Sequence, residues 1–516
     1  MIFRRLCAPV SLLALGLLAA GAAGLAPRGD AVAGPATAAE PNIILILTDD
    51  QDLLLGSLDV MPRLHELLID QGTFFTNAYV PLSLCCPSRA TILTGRYTHN
   101  LQVYTNFPPD GGFQLFKDLG HEGATVGVAL QRAGYRTALL GKYLNGYPNK
   151  LDRTYVPPGW NEWSVPAAGS PYAGLNYTLN HNGKMVPHGR QPADYLTDVL
   201  AQQARDFVTK AAADKVPFFL YFAPFAPHKP STPAPRDAQL FPDAKAPRTP
   251  SFNEADMKDK PKEMRGKPLL TDKQIHSLDQ LYRRRLQALQ SIDAAIATLV
   301  EALESTGQLD NTFLVFTSDN GLHMGQHRLP ASKYRPYEED IRVPLIVRGP
   351  GVPAGARVDA FIENVDLAPT IAQLAGAKLP VRPDGRSFVP FLAAPQRPPA
   401  NWRQMVFLEQ YHFDERPQDD EGLLEPSDQP AGEEHVTHLG LRTATYKLVE
   451  YGTGEREYYD LVRDPYELQS APQELSGAQL RRLTERVHAL ATCRRSTCRD
   501  LEAAPLAGSP SGTMQR

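Results

Sequence analysis

The run Asn42-Ile43-Ile44-Leu45-Ile46-Leu47 constrains the fold more than any other stretch of the chain. It is apolar at nearly every position over the length of one strand. Such a strand cannot leave a face in water and must lie between two covering layers, as in the middle of a parallel sheet. Similar runs recur at Thr137-Ala138-Leu139-Leu140 and at residues 217–222, 312–317 and 343–347. Several follow stretches of helical periodicity. Between Leu281 and Leu303 apolar residues return every three or four positions, and Gly307 then supplies a stop. The alternation predicts an α/β fold with a large, mostly parallel sheet sandwiched by helices.

Residues 393–399 are proline-rich and precede a further apolar run at 405–408, which predicts a domain boundary. Beyond it, 441–450 and 457–461 read as antiparallel strands and Gly477 to Leu490 as a helix. The expected organisation is a main domain over 41–392, a smaller C-terminal domain over 393–505 with an antiparallel sheet and a helix, and a disordered tail over 506–516. Between Pro230 and Thr271 the composition shifts to proline, lysine and aspartate, which predicts a long surface excursion.

Arg4-Arg5 followed by an apolar stretch from about Val10 to Ala23 reads as a secretory signal, with small-x-small cleavage candidates at Ala31-Val32-Ala33 and Ala36-Thr37-Ala38. Residues 1–38 are then signal peptide and lead-in, and the mature chain is secreted with no stable membrane span. Of the five cysteines, Cys7 leaves with the signal, and export makes a local Cys493–Cys498 disulfide the expected pairing. Lys+Arg at 53 against Asp+Glu at 57 gives a formal charge of -4, so no nucleic-acid partner is expected.

That leaves Cys85 and Cys86, in Cys85-Cys86-Pro87-Ser88-Arg89. Pro87 suits the first position of a helix and Gly95 the position past its end, which predicts a helix over Pro87 to Thr94 with Cys85 at its amino terminus. Free amides, the helix dipole and the Arg89 guanidinium would converge there on one small oxyanion. Taken alone, the thiols also fit a buried, inert pair.

Asp49-Asp50 follows the first buried strand, and Ser318-Asp319-Asn320-Gly321 ends another. Ligands collect at the carboxyl ends of strands in open α/β sheets. Three carboxylates and an amide carbonyl are hard donors that favour Ca2+, or Mg2+, over zinc or copper. On spacing alone these residues serve equally well as turn and cap residues.

The longer run from Ser83 to Gly95 resembles, almost position for position, the signature of the formylglycine-dependent sulfatases of the alkaline phosphatase superfamily. The resemblance implies oxidation of Cys85 to formylglycine (3-oxoalanine) by a formylglycine-generating or equivalent maturation enzyme. It implies one divalent cation held by Asp49, Asp50, Asp319, Asn320 and the modified Cys85. Lys142 in Gly141-Lys142-Tyr143, and Lys333, resemble the sulfate-binding lysines, with Arg89 beside them. His228 in Ala226-Pro227-His228-Lys229-Pro230 resembles the histidine at the leaving-group oxygen, where an imidazole suits a general acid. Many relatives carry a second histidine two positions after the first lysine, where this chain has Leu144 and then Asn145. His99, His323 and His327 are the candidates for the missing base; all three fit equally as substrate contacts or structural residues, and Asn145 is a further candidate substrate contact. Gly141 to Gly146, Cys85-Cys86 and Tyr97-Thr98-His99-Asn100 resemble the N-acetylglucosamine-6-sulfatase and extracellular endosulfatase subgroup. The implied substrate is a sulfated sugar such as N-acetylglucosamine 6-sulfate, or an aryl sulfate. The alternatives are a phosphonate monoester or phosphodiester hydrolase on the same fold and a non-catalytic, calcium-dependent glycan binder.

Overall fold

A computed structural model describes residues 40–148, 152–411 and 437–506. The signal segment and the tail beyond Leu506 lie outside the described residues. Strands β1 (Asn42–Thr48), β2 (Thr73–Phe75), β3 (Ala78–Tyr79), β4 (Arg136–Gly141), β5 (Glu162–Gly169) and β6 (Tyr177–His181) occupy the first part of the chain. They are followed by β7 (Lys184–His188), β8 (Phe218–Ala223), β9 (Thr312–Ser318), β10 (Arg342–Val343), β11 (Leu345–Arg348), β12 (Ala356–Val358) and β13 (Ile362–Glu363). The last four are β14 (Met405–Gln410), β15 (His438–Thr443), β16 (Tyr446–Tyr451) and β17 (Arg456–Asp460).

The main sheet runs β12-β2-β11-β9-β1-β8-β4-β5-β6-β7. Its middle, from β9 to β5, is parallel throughout, and antiparallel strands flank it on both sides. β1 is central and fully buried. Ile43, Leu45 and Leu47 face one apolar layer with Ala90, Leu93, Val126 and Ile371; Ile44 and Ile46 face the other, with Leu200, Phe207, Leu289 and Ile296. This two-sided burial is the physical reason the run lacks alternation. The run at 343–347 is split by Pro344 into β10, in a small sheet with β3 and β13, and β11, antiparallel to β9.

The helix foreseen from Leu281 to Leu303 extends over Asp272–Ser305. Its start is fixed by a capping box between Thr271 and Gln274, and Gly307 follows its end at φ +65°. It is long and apolar enough to cross a membrane, but its apolar window is 72% buried inside the protein, so it is a core helix. The excursion over 230–271 is packed, not loose: Ala246, Met257, Lys260, Met264 and Leu270 are all buried, and its Glu254 contacts His327.

The stretch 441–450 holds two strands, β15 and β16, because Ala444-Thr445 turns the chain; both belong to a β14-β15-β16-β17 antiparallel meander. The helix Gly477–Leu490 stands as foreseen, a shorter one spans Ser496–Ala503, and the Cys493–Cys498 disulfide is formed. Buried charge ties this part to β13 of the small sheet and to the loop after the Cys85–Thr94 helix. Arg403 binds Glu363 at 3.1 Å and Glu502 at 3.0 Å and also pairs with Asp366. The Tyr97 hydroxyl lies 2.6 Å from Glu363 and within bonding distance of Glu502. One phenol proton cannot serve both carboxylates, so one of the acids must carry its own.

Burial raises Glu363 from its usual 4.5 to about 8 against the pull of Arg403, with Glu502 adding to the rise. Burial, with Glu467, does the same to Glu339. Between those two values the folded chain holds more protons on these carboxyls than the unfolded chain, so stability falls as pH rises through that window. The thermal unfolding midpoint is expected to drop from pH 5 to pH 8, and Glu363→Gln should flatten the drop; an unchanged slope would count against the assignment. Arg403→Met leaves Glu363 and Asp366 without their buried cation and Glu502 with Arg386 alone, and should cost on the order of 3–5 kcal/mol in urea unfolding.

Candidate active site

β9, β1, β8 and β4 are adjacent and parallel, so the loops after their carboxyl ends leave from one edge of the sheet. Register aligns Thr48 with Ser318 and Gly141 with Ala223. Asp49-Asp50, Asp319-Asn320, Lys142 and His228 therefore emerge side by side from four distant parts of the sequence. The loops are pinned to each other: the Asp50 amide donates to Asp319 Oδ1 at 3.0 Å and Asn320 Nδ2 to Asp50 Oδ1 at 2.7 Å.

A helix brings the cysteine to this edge. It spans Cys85–Thr94, two residues earlier than Pro87 suggested, so Cys85 is itself the first helical residue after the extended Leu84. Pro87 still lies in the first turn, where its missing N–H costs nothing. The Cys86 amide donates to Asn106 Oδ1 at 2.9 Å. Gly95 closes the helix at φ +71°, and a Cβ there would lie 2.9 Å from Pro383. All ten residues of the helix are buried. One turn in, Arg89 Nε binds Asp319 Oδ2 at 2.8 Å and Nη1 donates to the Lys142 carbonyl at 3.0 Å, bolting the helix to the ends of β9 and β4. Ser88 reaches the Asp319 carbonyl and accepts from Asn364 at 2.8 Å.

Cys85 Sγ lies 3.4 Å from Asp49 Oδ1, 3.9 Å from Asp50 Oδ1 and 2.9 Å from Lys333 Nζ. Lys333 also donates to Asp50 Oδ1, and Lys142 to Asp49 Oδ2, each at 2.7 Å. His228 Nε2 faces Asp50 Oδ2 at 3.5 Å, and its Nδ1 donates to the Lys229 carbonyl at 2.7 Å. Burial alone would raise Asp49, but Lys142, His228, Arg89 and Lys333 together hold it below its usual value. Burial pushes the Cys85 thiol well above its usual value despite Lys142 and Lys333. An unmodified Cys85 is thus a protonated thiol and a poor nucleophile.

The donor set fits a hard divalent cation. Asp50 Oδ2 and Asn320 Oδ1 are buried and accept no hydrogen bond, and the carboxylates of Asp49 and Asp319 lie in the same cluster. Ligand atoms of Asp49, Asp50, Cys85 and His228 all fall within 4.8 Å of one another. Arg89 Nη2 is likewise buried with no hydrogen-bond acceptor, a donor available to an anion.

The other sequence candidates separate. His99 is not part of the cluster: Nδ1 binds Glu409 at 2.8 Å and Nε2 meets the Cys493 carbonyl at 3.0 Å, a structural role at the C-terminal junction. His323 Nδ1 is held by Asp340 at 2.8 Å and His327 Nδ1 by Glu254 at 2.6 Å, and the Nε2 atom of each is buried without a hydrogen bond. Burial, then Lys260 and His323, keep His327 neutral. Asn145 is buried, and its backbone carbonyl accepts from Phe113 at 2.7 Å. Sequence reading missed Asn106 and Tyr172. The Tyr172 ring lies 5.0 Å from Lys142 Nζ and 4.7 Å from the His228 ring. An aromatic after a proline between two strands carries no signal of that role.

The sulfatase family model matches residues 41–377, and the N-sulphoglucosamine sulphohydrolase C-terminal model matches 325–492. The human N-acetylglucosamine-6-sulfatase is 36% identical over 481 residues, which cover 89% of this chain and 86% of that protein. The chain belongs to the sulfatase family. An extracellular sulfatase SULF-1 homolog of Drosophila melanogaster is 40% identical over 72% of the chain. The chain spans 33% of that protein's length and 52% of that of a putative extracellular sulfatase Sulf-1 homolog of Caenorhabditis elegans. Its fold is similar to the solved structure of BT4656 in complex with D-glucosamine-2-N,6-O-disulfate, with TM-score 0.72 and 24% identity, covering 90% of this chain and 99% of the other.

A cation that binds the folded state raises stability by about 2.7 kcal/mol at one hundred times its dissociation constant. Calcium or magnesium is expected to raise the unfolding midpoint of chelator-treated protein, and Asp50→Asn or Asp319→Asn should abolish most of that rise. Equal shifts in wild type and variants would place the ion elsewhere.

Proposed function

We propose that this sulfatase-family chain hydrolyses sulfate monoesters of a sulfated sugar, of the N-acetylglucosamine 6-sulfate type. The observation that carries this reading is the position of Cys85 Sγ, at the start of a buried helix and in contact with Asp49, Asp50 and Lys333. Similarity to the human N-acetylglucosamine-6-sulfatase over most of both chains supports the sugar class. The likeness to extracellular relatives and the Cys493–Cys498 disulfide support secretion, with residues 1–38 as the export signal.

Asp49, Asp50, Asp319, Asn320 and residue 85 would hold the divalent ion, which supplies Lewis acidity toward a sulfate oxygen and toward a hydroxyl. Oxidised by a separate maturation enzyme, residue 85 offers a hydrate hydroxyl as nucleophile and an aldehyde through which sulfate can leave without attack by water. The remaining work falls to side chains of this chain. Arg89, Lys142 and Lys333 bind the sulfate oxygens, whose crowded negative charge would otherwise repel a nucleophile. His228, oriented by its Nδ1 bond to Lys229, directs Nε2 into the cluster and gives a proton to the departing sugar oxygen as the S–O bond breaks. With Leu144 in place of a second imidazole and both nitrogens of His99 held by Glu409 and the Cys493 carbonyl, the histidines left to take the proton of the residue 85 hydroxyl as sulfate leaves are His323 and His327.

Inorganic sulfate release from N-acetylglucosamine 6-sulfate, glucosamine-2-N,6-O-disulfate and an aryl sulfate, beside an aryl phosphonate, tests the reading. Sulfate release should dominate, and the Cys85 peptide should have exchanged sulfur and two hydrogens for one oxygen. Preferential cleavage of the phosphonate would favour the phosphohydrolase alternative. Glycan binding with an intact thiol and no sulfate released would make the chain a binding protein. Cys85→Ser should lose multiple turnover. His228→Ala should slow sugar sulfates by about 10²–10⁴-fold and slow aryl sulfates far less, because an aryl leaving group needs little protonation.

A further inference from the structure

We infer that Arg285, far from the site in sequence, is a positioning residue that sets the geometry of the cation-binding loop and ties it to the His228 loop. It lies on the Asp272–Ser305 core helix and is 1% exposed. Its Nη2 donates to the Asp50 carbonyl at 2.6 Å and to Asp52 Oδ1 at 3.2 Å, while Nη1 reaches the Pro227 carbonyl at 3.4 Å. One planar fork thus spans both the loop after β1 and the residue before His228.

Asp50 needs such a hold. Its backbone sits at φ +62°, in the left-handed region, which aspartate enters more readily than most non-glycine residues but still at a cost that its surroundings must offset. The Asp50 amide is fixed by Asp319 Oδ1 and its carbonyl by Arg285, so both sides of the strained residue are pinned. That conformation turns the carboxylate toward Asn320, Lys333 and His228. Asp52 matches the charge of Arg285, so the guanidinium acts through geometry and leaves the charge balance of the site alone. The Pro227 bond extends the same control to the spacing between Asp50 and His228.

This inference rests on the proposed function for its kinetic consequence and on the cation site for its binding consequence, and the two are measured separately. Arg285→Met removes all three hydrogen bonds. Arg285→Lys keeps the charge in the same space but cannot span both carbonyls. Calcium binding to each full-length variant is measured by titration calorimetry, with magnesium as a second probe and circular dichroism as the check on folding. A loss of about 10–100-fold in cation affinity is expected, with kcat for sulfate release falling and KM little changed. A role confined to folding would lower the amount of native protein and leave the affinity of the native fraction unchanged. A variant that folds and binds the ion as tightly as wild type overturns the inference, as does a wild type that binds neither ion. Weakened affinity in the variants of a wild type that releases no sulfate would uphold Arg285 and overturn the proposed function.

Discussion

Like charges are forced together at the carboxyl edge of the β9-β1-β8-β4 ribbon, and everything else at the site answers that constraint. Asp49, Asp50 and Asp319 are fully buried within a few ångströms of one another, which would be prohibitive without compensation. Arg89, Lys142 and Lys333 supply it from a helix and two further loops, each through a direct contact. The result is a cluster near charge balance that is nonetheless under-bonded, since Asp50 Oδ2, Asn320 Oδ1 and Arg89 Nη2 are buried without hydrogen-bond partners. A dication and a sulfate group would be a complementary pair for such a cluster, the oxygens suiting one and the guanidinium and ammonium groups the other.

Much of this was legible in the sequence, and for identifiable reasons. β1 announced itself because a strand covered on both faces shows no alternation, and the acids were suspect because they terminate such strands. Cys85 to Gly95 could be placed on a helix because proline and glycine mark its ends, although the start was read two residues late: Pro87 fits the third helical position as comfortably as the first. Long-range partners were not legible. Tyr172, Asn106 and Arg285 act through contacts made only when remote segments meet, and nothing local to them distinguishes a site residue from a core residue. His99 shows the converse. Its place in a recognisable run made it a candidate, but Glu409 and the Cys493 carbonyl claim both of its nitrogens.

The C-terminal region carries the second lesson. Expected as a smaller domain after 393, it is tied by buried charges to the end of β13, with Arg403 and Tyr97 gathering Glu363 and Asp366 from one segment and Glu502 from another. Tyr97 follows the Cys85–Thr94 helix by only three residues. The meander and the disulfide-closed turn therefore bear on the far end of the helix that presents Cys85. A buried network of this kind adds little net stability over an apolar core, yet losing one partner is costly, so its geometry is held as a unit.

The central claim is that one divalent ion is shared by the loops after β1 and β9 and by residue 85. A crystal structure of the mature protein grown with calcium, located by anomalous scattering, tests it directly. The account predicts a single strong peak with oxygens of Asp49, Asp50, Asp319 and Asn320 and of the modified residue 85 at about 2.3–2.6 Å. A peak bound away from residue 85, or one that leaves out either loop, would contradict it.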